Sequence, residues 1–486
     1  MENSHSEPLL ELDVNEFLMV RKYAWLPERA TLAPFLGAMT PLYSGAAFQI
    51  LSPIFFNPLM EREWMPETPS DEASKLMSYP TMAMFGCWIF GALAWTFAAD
   101  RFGRRPATLL CGWASIGIST LSIVAWDYKS FFVLRALLGF AVGGQGATAY
   151  VWTIEWAARQ DPSLLTFVGN VLFSLANALV VGVAFLGNQL DIGWRAQQLI
   201  LSAVQALPFC CAFFVKETPS FLQQAGRHSE AEATLRGELS PHAAKELADC
   251  TLRAPPVERD LGSGDSDDAV PLRLLTQPTT LFRMLIVAIS WFTVNLTFYG
   301  LDFSVGGCKA EDGCDAYLNG LLTAVADLPG YAISFVAADI PCIGRRFTLV
   351  FSFALCGVCL LLMVVVRATA DVQDDASVLS ALSFVGKCGA ASAFSIVYIY
   401  PTELFPTRIR SSALGVANIG GRIAAVLSPL AANVAPFTLE LALGSLAMVS
   451  AVLTLALPET LVPRGNPLTM QEGTFRARSA DVMPSE

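Results

Sequence analysis

The sequence predicts an all-α polytopic membrane protein of about twelve transmembrane helices in two six-helix, pseudo-symmetric halves. Three observations carry this expectation. The 486-residue chain is 54% hydrophobic and only 15% charged, with a mean hydropathy of +0.50, whereas soluble domains carry about a quarter of their residues as charged. Apolar stretches near the roughly 20 residues needed to cross a bilayer recur about twelve times. Three landmarks also repeat at nearly one offset between the first and second parts of the chain, the mark of an internally duplicated membrane fold.

Taken in order, the expected spans are 32–56, 79–99, 107–126, 130–154, 164–187 and 196–215, then 281–303, 316–337, 347–366, 377–401, 411–435 and 437–457. Lipid offers no hydrogen bonds, so each span must satisfy its own backbone as a helix. The domain reading is a first half over 1–215 with a tail over 1–30, a linker over 216–280, a second half over 281–460 and a tail over 461–486. The linker is expected to hold an amphipathic helix over 229–250 and a low-complexity stretch from Asp260 to Asp268. The first twenty residues are acidic and show no basic leader of a cleavable signal.

Short loops on one side carry Arg101, Arg104, Arg105, Arg159, Arg345, Arg346, Arg408 and Arg410. Those on the other carry Glu61, Glu63, Glu67, Asp71, Glu72, Glu311, Asp312, Asp315, Asp371, Asp374 and Asp375. The basic side is expected to face the cytoplasm, together with both termini. Cys308 and Cys314 share one acidic loop, where a disulfide is an open option.

The duplication rests on motif spacing. Gly103-Arg104-Arg105 recurs as Gly344-Arg345-Arg346, 241 residues later; Glu155 with Arg159 recurs as Glu403 with Arg408, 248 later; Glu217-Thr218 recurs as Glu459-Thr460, 242 later. In the loop from Asp100 to Arg105, Gly103 supplies the tight turn. The arginines can meet helix C-termini and pair with Glu155 and Glu217. These residues, with their second-half counterparts Arg345, Arg346, Glu403, Arg408 and Glu459, form a candidate gate whose pairs hold while that side is closed. The plainer reading of the same arginines is positive-inside topology.

This loop resembles motif A of the major facilitator superfamily. The chain as a whole resembles the organic cation, organic anion and carnitine transporter family, over nearly all of residues 10–460. Four stretches carry the resemblance: Trp194-Arg195 with Glu217 to Leu222 and Gly226-Arg227; Trp291-Phe292 through Tyr299-Gly300-Leu301; Asp327-Leu328-Pro329; and the run from Val385 through Gly415 into Gly421-Arg422-Ile423 and Leu427-Ser428-Pro429. Departures mark a distant member. The loop after span one is only about 23 residues and lacks cysteines and sequons, and Thr96, Ser220 and Pro341 stand where the family carries Gly, Arg and Asp. Asp339 lies two residues from Pro341.

An ionised side chain at the bilayer centre costs roughly 2.5–3.5 kcal/mol to insert, so such residues face a cavity or a partner. Asp327, Lys387 and Arg422 each lie about eleven residues into their spans and together sum to one positive charge. Either they hold spans eight, ten and eleven together as an ion-pair network, or they face a solute. The resemblance places Arg422 where anion and carnitine transporters carry Arg, implying a carboxylate-bearing solute. Further candidates for the pocket are Tyr43, Gln49, Gln145, Tyr150, Asn170, Asn177, Trp291, Phe292 and Tyr299, each also able to serve in packing. Arg135 with Gly139 is similar to a superfamily pattern in span four, and Gly139 with Gly143 forms a close-packing GxxxG.

No Walker-type phosphate loop is present, and His5, His228 and His242 all lie in polar segments, so no metal, cofactor or catalytic centre is expected. The acidic balance, net −11, leaves no basic stripe for nucleic acid. The leading expectation is a non-enzymatic secondary transporter, monomeric and in the plasma membrane. It would move small organic ions, anion or zwitterion, by alternating access, with or without a coupling ion. Its rivals are a proton-coupled sugar or metabolite porter with Asp327 as the proton site, and a non-transporting sensor or vesicle protein that keeps the fold.

Overall fold

The computed structural model describes residues 10–12, 40–156, 162–238, 250–252, 277–305, 315–369, 376–405 and 410–461. Twelve long helices account for most of them. The first half holds α1 (Thr40–Trp64), α2 (Ser70–Phe102), α3 (Arg104–Leu121), α4 (Tyr128–Trp156), α5 (Pro162–Gln189) and α6 (Trp194–Cys211). Two short helices follow, α7 (Pro219–Gln224) and α8 (His228–Glu238). The second half holds α9 (Pro278–Ser304), α10 (Ala316–Ala337), α11 (Gly344–Thr369), α12 (Ala376–Leu404), α13 (Arg410–Leu427) and α14 (Pro436–Thr454). One parallel strand pair, β1 (Leu10–Leu12) with β2 (Cys250–Leu252), joins the N-terminal tail to the linker and leaves the all-α class intact.

Eleven of these helices are long and apolar enough to cross a membrane. The exception is α1, whose buried face carries Gln49 and Ser52 and whose expected first turns, 32–39, lie outside the described residues. Outward faces carry large apolar side chains such as Leu93, Leu207 and Phe214, the last 85% exposed. A soluble protein does not display so much apolar surface, and lipid is its natural cover.

The two halves pack alike: α2 and α3 on α4 and α1 on α5 in the first, α10 and α11 on α12 and α9 on α13 in the second. They meet along α5 with α10 and α2 with α13. Gly139 and Gly143 bring α4 against α2 so closely that a Cβ on either would run into the carbonyl oxygen of Met84 or Trp88. That is the close packing expected of the GxxxG.

One expectation needs correction. The 23-residue loop after span one is mostly helix: α1 runs on to Trp64 and α2 begins at Ser70, leaving a short connection. The extension is held by Glu63, which accepts from Arg195 at 2.7 Å and from the Trp194 indole at 2.9 Å. Of the linker helix expected over 229–250, the described part is α8, up to Glu238, and 239–249 and 260–268 lie outside the described residues. Cys308 and Cys314 lie outside them as well.

Candidate functional site

A cavity of about 310 Å³ lies between the halves, the size range of small-molecule sites. Helical stripes build its walls. Trp291, Asn295 and Tyr299 follow one another at four-residue steps on α9, as do Phe394 and Tyr398 on α12 and Asn418 and Arg422 on α13. Across from them stand Phe85 and Trp88 on α2, Tyr150 on α4, and Thr166, Asn170 and Phe173 on α5. Residues one helical turn apart share a face, so these stripes are what a central chamber requires.

The lining runs from mid-depth toward the ends of α4, α12 and the start of α5, the side of the arginine loops. On the opposite side the halves are joined. Phe55 stacks on Tyr317 at 5.7 Å, and Phe85 meets Tyr299 at 5.6 Å and Phe303 at 6.5 Å. Asn433 donates to Ser78 Oγ at 2.8 Å, and Ser78 Oγ lies 3.3 Å from the Pro429 carbonyl oxygen.

Arg422 is the single ionisable cation lining the cavity among the described residues, and no carboxylate there comes within salt-bridge distance of it. Its guanidinium lies 5.9 Å from the centre of the Trp88 ring, a cation–π distance across the two halves. The other two mid-membrane charges sit behind the wall. Lys387 Nζ donates to Asp302 Oδ1 at 2.8 Å and to the Phe298 carbonyl at 2.9 Å, and it stands 3.7 Å from Asp327 Oδ1. All three side chains are buried.

At the arginine loops the two halves repeat one arrangement. Arg104 pairs with Glu155 at 3.1 Å and Asp100 at 3.2 Å and donates to the Ala99 carbonyl at the end of α2. Glu217 accepts the backbone N–H groups of Arg105 and Thr218, so it caps the start of α3. In the second half Arg345 pairs with Asp339 at 2.6 Å and Glu403 at 3.3 Å, and Glu459 accepts from the backbone of Arg345 and Arg346. Thr218 donates to Glu155 as Thr460 donates to Glu403. Gly103 and Gly344 take φ of 115° and 68°, and a Cβ on either would collide with the carboxylate of Glu217 or Glu459. Burial pushes the Glu217 carboxyl up, against the hydrogen bonds from Thr218 and Arg105 and the nearby Arg104 charge.

Comparison with known proteins decides the family. A family profile described as sugar (and other) transporter matches residues 42–463. The chain belongs to this transporter family. Solute carrier family 22 member 15 of Xenopus tropicalis is 30% identical over 400 residues, covering 79% of this chain and 70% of that one. Organic cation/carnitine transporter 2 of Homo sapiens is 27% identical over 389 residues, covering 79% and 65%. The E. coli xylose transporter XylE, in a partially occluded inward-open conformation, matches with a TM-score of 0.66 at 18% identity, over 90% of this chain and 98% of that one. The fold is therefore that of the major facilitator superfamily, and the protein is a multi-pass membrane transporter.

Among the transporter's expected site residues, Arg422, Trp291, Tyr299, Tyr150 and Asn170 line the cavity. Gln145 does not: Ser115 Oγ donates to its Oε1 at 3.1 Å in the interior of the first half. Gln49 likewise turns inward, donating to Ser119. Asn177 is buried and absent from the cavity wall. Tyr43 is on α1, with its side chain outside the described residues, and Arg159 and Arg408 lie outside them altogether. Arg101 is exposed, with its guanidinium 5.8 Å from the Phe102 ring centre. Asp339 takes the place that Pro341 vacates, because α10 ends at Ala337 and the turn carries Asp339 back to Arg345.

Asp302 was missed, although it is the lone acid in α9 and lies one turn beyond Phe298. Arg135 is buried and donates to the Gln49 carbonyl at 3.0 Å and toward Ser52.

Proposed function

We propose that this transporter moves a small organic anion or zwitterion by alternating access, with the carboxylate held by Arg422. The supporting observation is that lone guanidinium in an otherwise uncharged, aromatic-walled cavity between the halves. A guanidinium binds a carboxylate through two parallel hydrogen bonds. Asn295 and Asn418 supply polar groups nearby, while Trp88, Trp291, Tyr299 and Tyr398 supply apolar walls with polar edges. The solute-binding set is then Arg422, Trp291 and Tyr299, with Lys387 and Asp327 behind the wall.

The arginine loops face the cytoplasm by the positive-inside rule, and so do both termini and the 216–280 linker. The cavity is then approached from the cytoplasm, and the membrane is the plasma membrane. A monomer in lipid suffices, since one chain supplies both walls. The charge clusters at the loops, from Asp100 to Arg105 with Glu155 and Glu217, and their second-half counterparts, act as end-staples. Every described pair lies within one half and is formed while the cavity lies on that side. Each half therefore moves as a unit.

The test is uptake into proteoliposomes from a panel of carboxylates, zwitterions, quaternary amines and neutral sugars. A carboxylate-bearing solute should accumulate. Uptake of sugars or amines alone would reject the assignment, and binding without flux would favour a sensor.

A further inference from the structure

We infer that Asp302, Asp327 and Lys387 form a proton-binding site in the second half, populated as one ammonium, one carboxylate and one carboxylic acid. The inference deepens the transporter reading and rests on it for the use made of the proton. Charge and geometry carry it. The three side chains are 3%, 0% and 1% exposed. Lys387 Nζ bonds Asp302 Oδ1 at 2.8 Å but stands 3.7 Å from Asp327 Oδ1, beyond hydrogen-bond reach. Neither oxygen of Asp327, nor Oδ2 of Asp302, has a hydrogen-bond partner among the described residues. One ammonium can compensate one carboxylate. A second ionised carboxylate would be buried, unsolvated and uncompensated, and a group in that position neutralises instead.

Among the described residues the surroundings supply no other counter-charge. Tyr299 on α9, Cys356 and Cys359 on α11 and Cys388 on α12 bring hydroxyl and thiol groups near the triad. The α5 helix, packed on α10, has no acidic or basic side chain. Remaining charges on the packed helices stand toward their ends, including Arg283, Asp315 and the Arg367–Glu440 pair. Arg422 faces the cavity instead.

Proton uptake converts one carboxylate to its acid and changes no other bond. The site is joined to the cavity through Phe298. Its ring centre lies 3.4 Å from Lys387 Nζ, 4.8 Å from the ring centre of Phe394 and 6.2 Å from that of Phe173, both cavity-lining. Phe173 belongs to the other half, so the contact spans the interface the halves must break and remake.

Charge counting sets the test. Infrared difference spectra of the purified full-length protein at neutral pH, in H2O and D2O, read the C=O stretch of protonated carboxyls. Wild type should show one deuterium-sensitive buried band more than either Asp302→Asn or Asp327→Asn, in each of which Lys387 balances the remaining acid. Lys387→Met should show one band more than wild type. Both Asn variants keep a balanced pair, so the comparison survives if the Met variant fails to fold. Identical spectra for wild type and both Asn variants overturn the site. A band with no uptake of any panel solute would leave the proton site standing and sink the transport reading. Uptake without the band would do the reverse.

Discussion

At the scale of single residues, Arg422 and the triad divide the buried charge between them. With one acid of the triad protonated, Lys387 and the remaining carboxylate cancel inside the wall, and the cavity keeps the positive charge of Arg422. Arg422→Ala should abolish uptake of a carboxylate solute while surface expression persists. Arg422→Lys should restore only a small part, because an ammonium cannot make the paired bonds of a guanidinium. Initial rates with a radiolabelled solute check both, and unchanged affinity in the Ala variant would refute the role.

Glu217 makes a second residue-scale prediction. Its carboxyl is raised by burial, so between its unfolded and folded values the native state binds more proton than the unfolded state. Stability from this group is fully present below the unfolded value and is lost as pH rises through the folded one. Melting of the detergent-solubilised protein should therefore fall less steeply over that window in Glu217→Gln than in wild type.

Elements are held in place by small residues and by carboxylates at helix starts. Gly103 is both in the left-handed region and against the Glu217 carboxylate. Gly103→Ala should cost about 1–3 kcal/mol from the backbone alone, read as a lowered melting temperature, with more lost through displacement of Glu217. Gly344→Ala should behave alike, since Glu459 takes the same place in the second half. On α4, Gly139→Leu would force its side chain into the Met84 carbonyl and separate α4 from α2. Loss of folded protein on size-exclusion chromatography is the expected result, whereas an intact monodisperse peak would show that the contact can yield.

For the whole molecule, the consequential feature is where the halves touch. Phe55 on α1 and Tyr317 on α10 stack across the halves on the side away from the arginine loops. Phe55→Cys with Tyr317→Cys, oxidised in membranes, should crosslink and stop uptake, and reduction should restore it. Full uptake by the crosslinked protein would exclude rocking of the halves about the central cavity. The charge clusters, by contrast, have no described pair between halves, so breaking Arg345 with Glu403 should weaken one half's end without releasing a lock.

Much of this was legible in the chain. Twelve spans follow from lipid's demand for self-satisfied backbone, and the duplicated Gly-Arg-Arg and Glu-Thr motifs located both charge clusters, which the sequence reads as a candidate gate. The stripe Trp291, Asn295 and Tyr299 was half read, with Asn295 overlooked, although its four-residue step from both neighbours was the available signal. What stayed hidden was which way each polar face points. Gln145 and Arg422 are both polar residues inside apolar spans, yet one closes a hydrogen bond inside its own half and the other stands in the chamber. Periodicity assigns residues to a common face but cannot say whether that face meets a sister helix or the opposite half. That choice belongs to the packing of distant helices, which also brought Asp302 to Lys387 across 85 residues of chain.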